Sequence, residues 1–403
     1  MSAIGAVHRG GTPSLLRSLN ARTVLELIEG EGPISRAQIA RRTGLSKPTV
    51  SLALNRLVDS GIAREVGRSS GSRGPAAILY RIDPRAGFVG GLDVGRGWLR
   101  AAVADLSGEI IARQVRRSTT RSAHALLDRI DELVTALLAD AGVLREQIDR
   151  WVLGTSGVVR PGGLSLALAT NLPGWGRPEV LSRLHEQFGD VLVENDVNLA
   201  TLAEQRFGHG RGVADFVVVS IGTGVGMGLV LDGRLYRGAH GAAGEIGYLP
   251  VGSSSDRRGR RQGLLEAVTG ADSVVREARA LGLTGRLTAA KVFDAARSGD
   301  PIALRVVDAE ADRIGFALAS VVAVVDPELV VLGGGIGKSA DLLLKRVGAR
   351  LHALSPMEPQ CVVSALGDDA VLRGALATGL DLAREDLYDK ATHHPAQLTA
   401  APA

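Results

Sequence analysis

Ser220-Ile221-Gly222-Thr223-Gly224-Val225-Gly226-Met227-Gly228-Leu229 joins one apolar run to another through a glycine-rich turn. The run at 216–221 reads as a buried strand, so the segment is a strand–turn–strand unit. A related unit stands 127 residues earlier, where Asp93-Val94-Gly95-Arg96-Gly97 closes the apolar run at 88–94. Val103 and Val230 fall at matching places, as do Asp105 and Asp232. Two glycine hairpins in duplicated positions predict two related lobes around a cleft.

Working outward, strands are predicted at 88–94, 99–105, 110–115, 151–154, 191–194, 216–221 and 329–332. Helices are predicted at 123–141 and 300–325, the first with Leu126, Leu127, Ile130, Leu133, Val134 and Leu137 on one side. This alternation predicts an α/β body. The chain has 403 residues, enough for two or three domains. Its one cysteine, Cys361, excludes a disulfide scaffold and any cysteine-rich zinc site. There is no apolar run long enough for a membrane span and no signal-peptide pattern, so the expected compartment is the cytoplasm, with no membrane partner.

Charge is divided unevenly. Residues 1–82 carry a net +7, whereas the whole chain carries +4. A basic head on a slightly acidic body points to a polyanion partner. Within the head, Val24, Leu25 and Ile28 give a first short helix. Ser35 can cap a second over 36–43, and Thr43-Gly44-Leu45 makes a tight turn. Ser46 caps a third helix with Pro48 in its first turn. There Val50, Ala53, Leu54, Leu57 and Val58 form one apolar stripe, which turns Thr49, Ser51, Leu52, Asn55 and Arg56 outward. A hairpin follows, with strands at 62–67 and 77–82 and the tip Arg68-Ser69-Ser70-Gly71-Ser72-Arg73-Gly74. Cap, turn, stripe, wing and charge together predict a winged helix-turn-helix. Its expected DNA contacts are Arg36, Ser46, Lys47, Thr49, Ser51, Asn55, Arg56, Arg68 and Arg73. Lys47 and Arg56 suit phosphate or guanine, and Asn55 suits adenine. Asp83-Pro84 marks the expected domain boundary.

The chain resembles the ROK family of repressors and sugar kinases over nearly its whole length. The resemblance rests on 221–229, on Gly238, on Gly244-Glu245-Ile246-Gly247, on Glu194-Asn195-Asp196-Val197-Asn198-Leu199-Ala200, and on Asn171-Leu172-Pro173-Gly174-Trp175. ROK kinases lack a DNA-binding head, and a winged head on a ROK body is the arrangement of the family's regulators. The resemblance implies a duplicated actin-like, sugar-kinase (ribonuclease H-like) body at 83–390, with lobes at about 83–207 and 208–390; residues 391–403 are expected to be a disordered tail. It implies a sugar or sugar derivative bound between the lobes by Asn171, Asn195, Asp196, Glu245 and Glu266. Asp196 matches the family's general base.

Two departures from the family pattern change the expected chemistry. The family's zinc ligands are a His and three Cys, and those places hold Tyr248, Arg257, Gly259 and Leu264; no zinc is expected. The first hairpin of the kinases reads Asp-x-Gly-Gly-Thr, whose backbone and Thr hydroxyl cradle phosphate. Here Arg96 and Gly97 stand in the last two places, so ATP binding and catalysis are not expected and Asp196 is read as a sugar ligand. The loop at 253–261 is strongly basic; it reads as solvated surface, or as a phosphate or DNA contact. The expected protein is a sugar-responsive transcriptional regulator, a repressor, acting on operator DNA as a homodimer or homotetramer. The competing expectation is a ROK sugar kinase with an accessory DNA-binding head.

Overall fold

The structure, a computed structural model, describes residues 13–69, 76–118, 122–161, 165–169, 172–251 and 263–393. Its N-terminal head begins with a helix, Pro13–Glu31, longer than the sequence pattern indicates. Arg36–Thr43 follows, started by a capping box between Ser35 and Gln38 and ended by Gly44 at φ 71°, a left-handed position that glycine adopts freely. Lys47–Asp59 is the third helix; the Ser46 side chain accepts from the Thr49 amide. Val50, Ala53, Leu54 and Leu57 are its buried stripe. Ala63–Arg68 and Ile78–Ile82 form the wing hairpin, and Ile34–Ser35 adds a third short strand against Ile78–Ile82.

Two five-stranded sheets make the body, and they repeat one topology. In the first, Phe88–Val94, Trp98–Asp105 and Ile110–Arg117 form an antiparallel meander, while Ile148–Thr155 and Val191–Asn195 extend it in parallel. In the second, Phe216–Ile221, Val225–Leu231 and Arg234–Leu235 form the meander and Leu329–Gly333 and Gln360–Val363 the parallel extension. Asp93 and Ser220 sit at corresponding ends, so the glycine hairpins noted in the sequence face one cleft. Helices Ala123–Ala141 and Pro178–Phe188 cover the first sheet, and Pro301–Val325 with Ala340–Leu354 covers the second.

The lobe limits differ from those expected. The last helix, Ala370–His393, returns to the first lobe instead of finishing the second. Leu372, Leu376, Leu380 and Ala383 lie on the other face of the first sheet, against Val89, Ala102 and Ala104. A sheet with one bare apolar face must bury it, and this helix supplies the cover. The second lobe therefore ends near residue 369. The helix also runs to His393, into the stretch 391–403 expected to be a tail; residues 394–403 lie outside the described ones.

The same apolar cluster contains Val24, Leu25, Ile28, Tyr80 and Ile82 of the head. Head and first lobe thus share one core, with no separate linker between Ile82 and the strand starting at Phe88. Among the described residues no helix is long and apolar enough to cross a membrane.

Candidate functional site

Val191–Asn195 ends where the helix Asp196–Phe207 begins, at the floor of the cleft between the lobes. Asn195 is the cap of that helix: its Oδ1 accepts from the amides of Val197 (2.9 Å) and Asn198 (3.1 Å). Its Nδ2 donates to the Gly157 carbonyl at 3.0 Å. Most of its hydrogen-bonding capacity is spent on the protein, so Asn195 orients the site more than it offers groups to a ligand. Glu194 supports it from beneath, accepting from the Asn195 amide, the Asn198 amide group and Arg237 Nε at 2.7 Å.

Asp196, Glu245 and Glu266 line the same cleft. Glu245 precedes the single turn Ile246–Tyr248, and Glu266 lies in the short helix Leu264–Val268. Burial pushes Glu245 up to about 7, helped by the neighbouring charges of Asp196 and Glu266. Asp196 is raised by withdrawal from solvent, against the opposing pull of the Val197 amide. Glu266 is raised by burial too, although Oε2 accepts from the Val225 amide at 3.0 Å. A carboxyl group that holds its proton near neutrality, as Glu245 does, can both donate to and accept from a hydroxyl, while its neighbours accept. Ser156 completes the cluster and was not picked out from sequence. Its Oγ is buried at the cleft wall and has no hydrogen-bond partner among the described residues. The sequence signal available was its place directly after a buried strand, opposite the glycine hairpins. Asn171, the fifth expected ligand residue, lies outside the described residues.

The phosphate side of the cleft is differently furnished. Asp93 is buried, and Arg100 Nη1 donates to its Oδ2 at 2.8 Å. Arg100 also lies 3.9 Å from Asp368, which pairs with Lys338 at 2.5 Å. Burial lifts Asp93 to about 6 even with Arg100 beside it. Arg96 lines the cleft and reaches across its mouth to Asp272 of the second lobe, 3.5 Å away. Asp93 thus spends a carboxylate oxygen on a guanidinium, and the hairpin carries a bulky side chain where a bare backbone would approach phosphates. Two of the four family zinc-ligand positions are among the described residues. Tyr248 lines the cleft where a ligating His is required, and Leu264 has no donor atom. Residues 257 and 259, with the rest of the basic loop 253–261, lie outside the described residues.

On the head, Ser46, Lys47 and Asn55 are exposed, while Thr49, Ser51 and Arg56 are half-buried on the same helix. Arg36 Nη2 donates to Asn55 Oδ1 at 3.0 Å while its guanidinium stacks over Tyr80, 5.2 Å from the ring centroid. Asn55 therefore presents its NH2 group; pairing both edges with adenine requires Arg36 to let go. Leu52, half-exposed in the middle of this polar face, is an apolar side chain of the kind that packs on thymine methyl groups. Arg68 is exposed on the wing, and Arg73 lies outside the described residues.

A two-lobed sugar-kinase-like body carrying a winged helix-turn-helix is the class that fold and site define. The ROK family model matches residues 89–381, and a winged helix-turn-helix DNA-binding model matches 17–64. The chain belongs to the ROK family. It is 26% identical over 388 residues to a xylose repressor of Caldicellulosiruptor bescii, covering 91% of this chain and 96% of that one. It is 27% identical over 398 residues to the DNA-binding transcriptional dual regulator NagC of Escherichia coli, covering 92% and 96%. The crystal structure of a ROK family transcriptional regulator, described as a homologue of the E. coli MLC protein, superposes with a TM-score of 0.78 at 23% identity, covering 94% of this chain and all of that one.

Proposed function

We propose that this protein is a sequence-specific transcriptional repressor that is released from, or reset on, its operator by a neutral sugar bound in the cleft. The observation that carries the reading is the combination of a convergent cluster of carboxyl and hydroxyl groups with an occupied phosphate side. Asp196, Glu245, Glu266 and Ser156 converge on one space, while Arg100 neutralises Asp93 beside it. The chain is a regulator and not an enzyme: the relatives that match it from end to end are repressors, and the head they share is present here. Three carboxyl groups at the cleft disfavour an added phosphate, so free sugars fit better than sugar phosphates. The name of the xylose repressor puts a pentose first among candidates, and an N-acetylglucosamine repressor of Escherichia coli, 27% identical over 398 residues, puts an N-acetylhexosamine beside it.

The protein works on DNA in the cytoplasm as a homodimer or homotetramer, because one winged module buries too little surface for tight operator binding. It needs no zinc, since three of the four family ligand positions hold Arg, Gly and Leu and the fourth Tyr248. The deciding experiment has two stages. Thermal shift with d-xylose, d-glucose, N-acetyl-d-glucosamine and their phosphates identifies a ligand. Operator titration with the best of them then compares the parent with Asp196→Ala and Glu245→Ala. Loss of the sugar response in both variants, with ligand-free DNA binding kept, is the expected result; three identical responses refute the site.

A further inference from the structure

One helix touches every part of the molecule that a signal from sugar to DNA must cross. Asp196–Phe207 begins in the carboxylate cluster. Along its next turn, Val197 and Thr201 lie against the second lobe, where glycine leaves them room: a Cβ on Gly228 would sit 2.0 Å from Thr201 Oγ1. Farther on, Glu204 is fully buried and its Oε1 accepts from the Ser364 hydroxyl of the second lobe at 2.6 Å. Gln205 Nε2 donates to the Gly233 carbonyl, also in the second lobe, at 2.8 Å. Its other flank lies on the last helix of the chain, with a Cβ at Gly374 placed 1.9 Å from the Leu199 carbonyl oxygen.

The last turn carries Arg206. Its Nη1 donates to Asp381 of the last helix at 2.7 Å, and its Nη2 to Glu29 of the head at 3.1 Å. Glu29 also accepts from Arg384, whose second Nη donates to the Leu106 carbonyl at 2.8 Å. Sugar helix, head helix and last helix are thus pinned at one carboxylate.

We infer that Arg206 is the positioning residue through which the cleft sets the attitude of the DNA-binding head. This rests on the sugar-effector reading given above. Twelve residues make a rod of about 18 Å, anchored to the second lobe by Glu204 and Gln205. Closure of the lobes on a ligand carries this rod with it, because its second-lobe contacts are directional hydrogen bonds, the one at Glu204 being made by a buried carboxylate. The head's other attachments are apolar packing of Val24, Leu25 and Ile28, which holds the head down but tolerates tilt, and an exposed ion pair from Arg22 to Glu385 of the last helix at 3.0 Å. Glu29 is the part-buried directional contact, and it is shared between two guanidiniums. When Arg206 shifts, Glu29 stays with Arg384 alone, so the head has two arrangements that differ in this one pair. Arg206 and Glu29 remain about a third exposed, so the pair adds little to overall stability and acts by selecting geometry.

The test uses the full-length chain, a duplex selected by it from a random library, and d-xylose, d-glucose and N-acetyl-d-glucosamine as probes. Parent, Arg206→Gln, Arg206→Lys, Glu29→Gln and the double Arg206→Gln/Glu29→Gln are compared. Three quantities are measured: sugar affinity by calorimetry, duplex affinity with and without sugar, and hydrogen exchange of the amides at 20–31 without sugar. In the parent, the active sugar changes duplex affinity by a factor within the usual range of about 5–150. Arg206→Gln is expected to bind that sugar as the parent does but to respond by less than about 2-fold, far below that range. Arg206→Lys, which keeps the charge, restores most of the response. Head-helix amides exchange faster in Arg206→Gln and in Glu29→Gln, with no further increase in the double variant. A parent-like response, or parent-like exchange, in Arg206→Gln overturns the inference. If no sugar alters the parent's duplex affinity, the effector reading fails separately, and the exchange comparison still decides whether Arg206 positions the head.

Discussion

Replacing Arg100 with Met isolates the pair that blocks the phosphate side. In the parent Asp93 titrates at about 6 in the folded protein against 3.8 for the ordinary side chain. The folded state therefore holds its proton more tightly than the unfolded one, and this group lowers stability as pH rises from 3.8 to about 6. Above that the penalty is constant, because Asp93 is ionised in both states. Arg100 opposes the rise through its charge and its 2.8 Å hydrogen bond, so without it the folded Asp93 holds its proton to still higher pH. The parent and Arg100→Met should then differ by a constant amount below about pH 6, and the gap should widen above it. Each unit by which loss of Arg100 raises the folded Asp93 adds about 1.4 kcal/mol to the difference at high pH, with a ceiling of roughly 3–5 kcal/mol, the cost when a buried ion pair loses one partner. Melting temperatures measured from pH 5 to pH 8.5 would show a difference growing by several degrees. Glu245 and Glu310 also titrate high, but they do so in both proteins and cancel. Adding Asp93→Asn to the variant should remove the pH-dependent part. A melting difference that is the same at every pH would refute the argument and mark Arg100 as a packing residue only.

Glu245 titrates at about 7, so it too lowers stability as pH rises, between 4.5 and about 7; Glu245→Gln should flatten the pH–stability curve in that interval, and an unchanged slope would count against its burial. Gly374→Ala drives a Cβ into the Leu199 carbonyl oxygen and should destabilise by about 1–3 kcal/mol as overpacking does. Gly30→Ala, at an exposed position of the head's first helix, meets nothing within 4 Å among the described residues and should be neutral or stabilising by up to about 1 kcal/mol; thermal melts of the pair check both. Operator binding should weaken steeply with salt, and Lys47→Ala should reduce the slope of the log–log salt plot by about 1 if this exposed ammonium meets a phosphate.

The elements that were legible in the sequence are those whose residues carry a local signature. Ser35, Gly44 and Ser46 announce the head's helix ends, and the stripe from Val50 to Leu57 gives its buried face. The paired hairpins at Gly95 and Gly222 expose the duplication because a glycine turn at a strand end is a local feature. What stayed hidden is what depends on partners far along the chain. The last helix pairs Leu372, Leu376 and Leu380 with a sheet almost 300 residues earlier, and nothing in its own pattern names the lobe it covers. Asn195 was legible as a site residue but not as a cap, since an Asn before a helix signals either role. Ser156 has no motif; only the burial of its unpaired hydroxyl singles it out. Arg100 sits in a strand whose alternation says nothing about Asp93 across the hairpin, although the two are register partners.

That hairpin explains how a kinase-like frame serves as a receptor. Phosphoryl transfer needs a bare backbone and a free carboxylate on the phosphate side, both aimed at groups that arrive with the nucleotide. Here Arg100 gives Asp93 a permanent partner, and Arg96 carries a side chain across to Asp272, so the charges that would await a nucleotide are met within the chain. On the proposed reading the sugar side keeps its unmet groups: Ser156 Oγ has no partner among the described residues, and Glu245 is poised to ionise about neutrality. A ligand can move the lobes only through groups that are unsatisfied without it, since its leverage is the difference in free energy between the two arrangements. On the proposed reading, the cleft has lost that leverage on the nucleotide side and retained it on the sugar side. The helix that starts at the retained groups is the one that ends at the DNA-binding head.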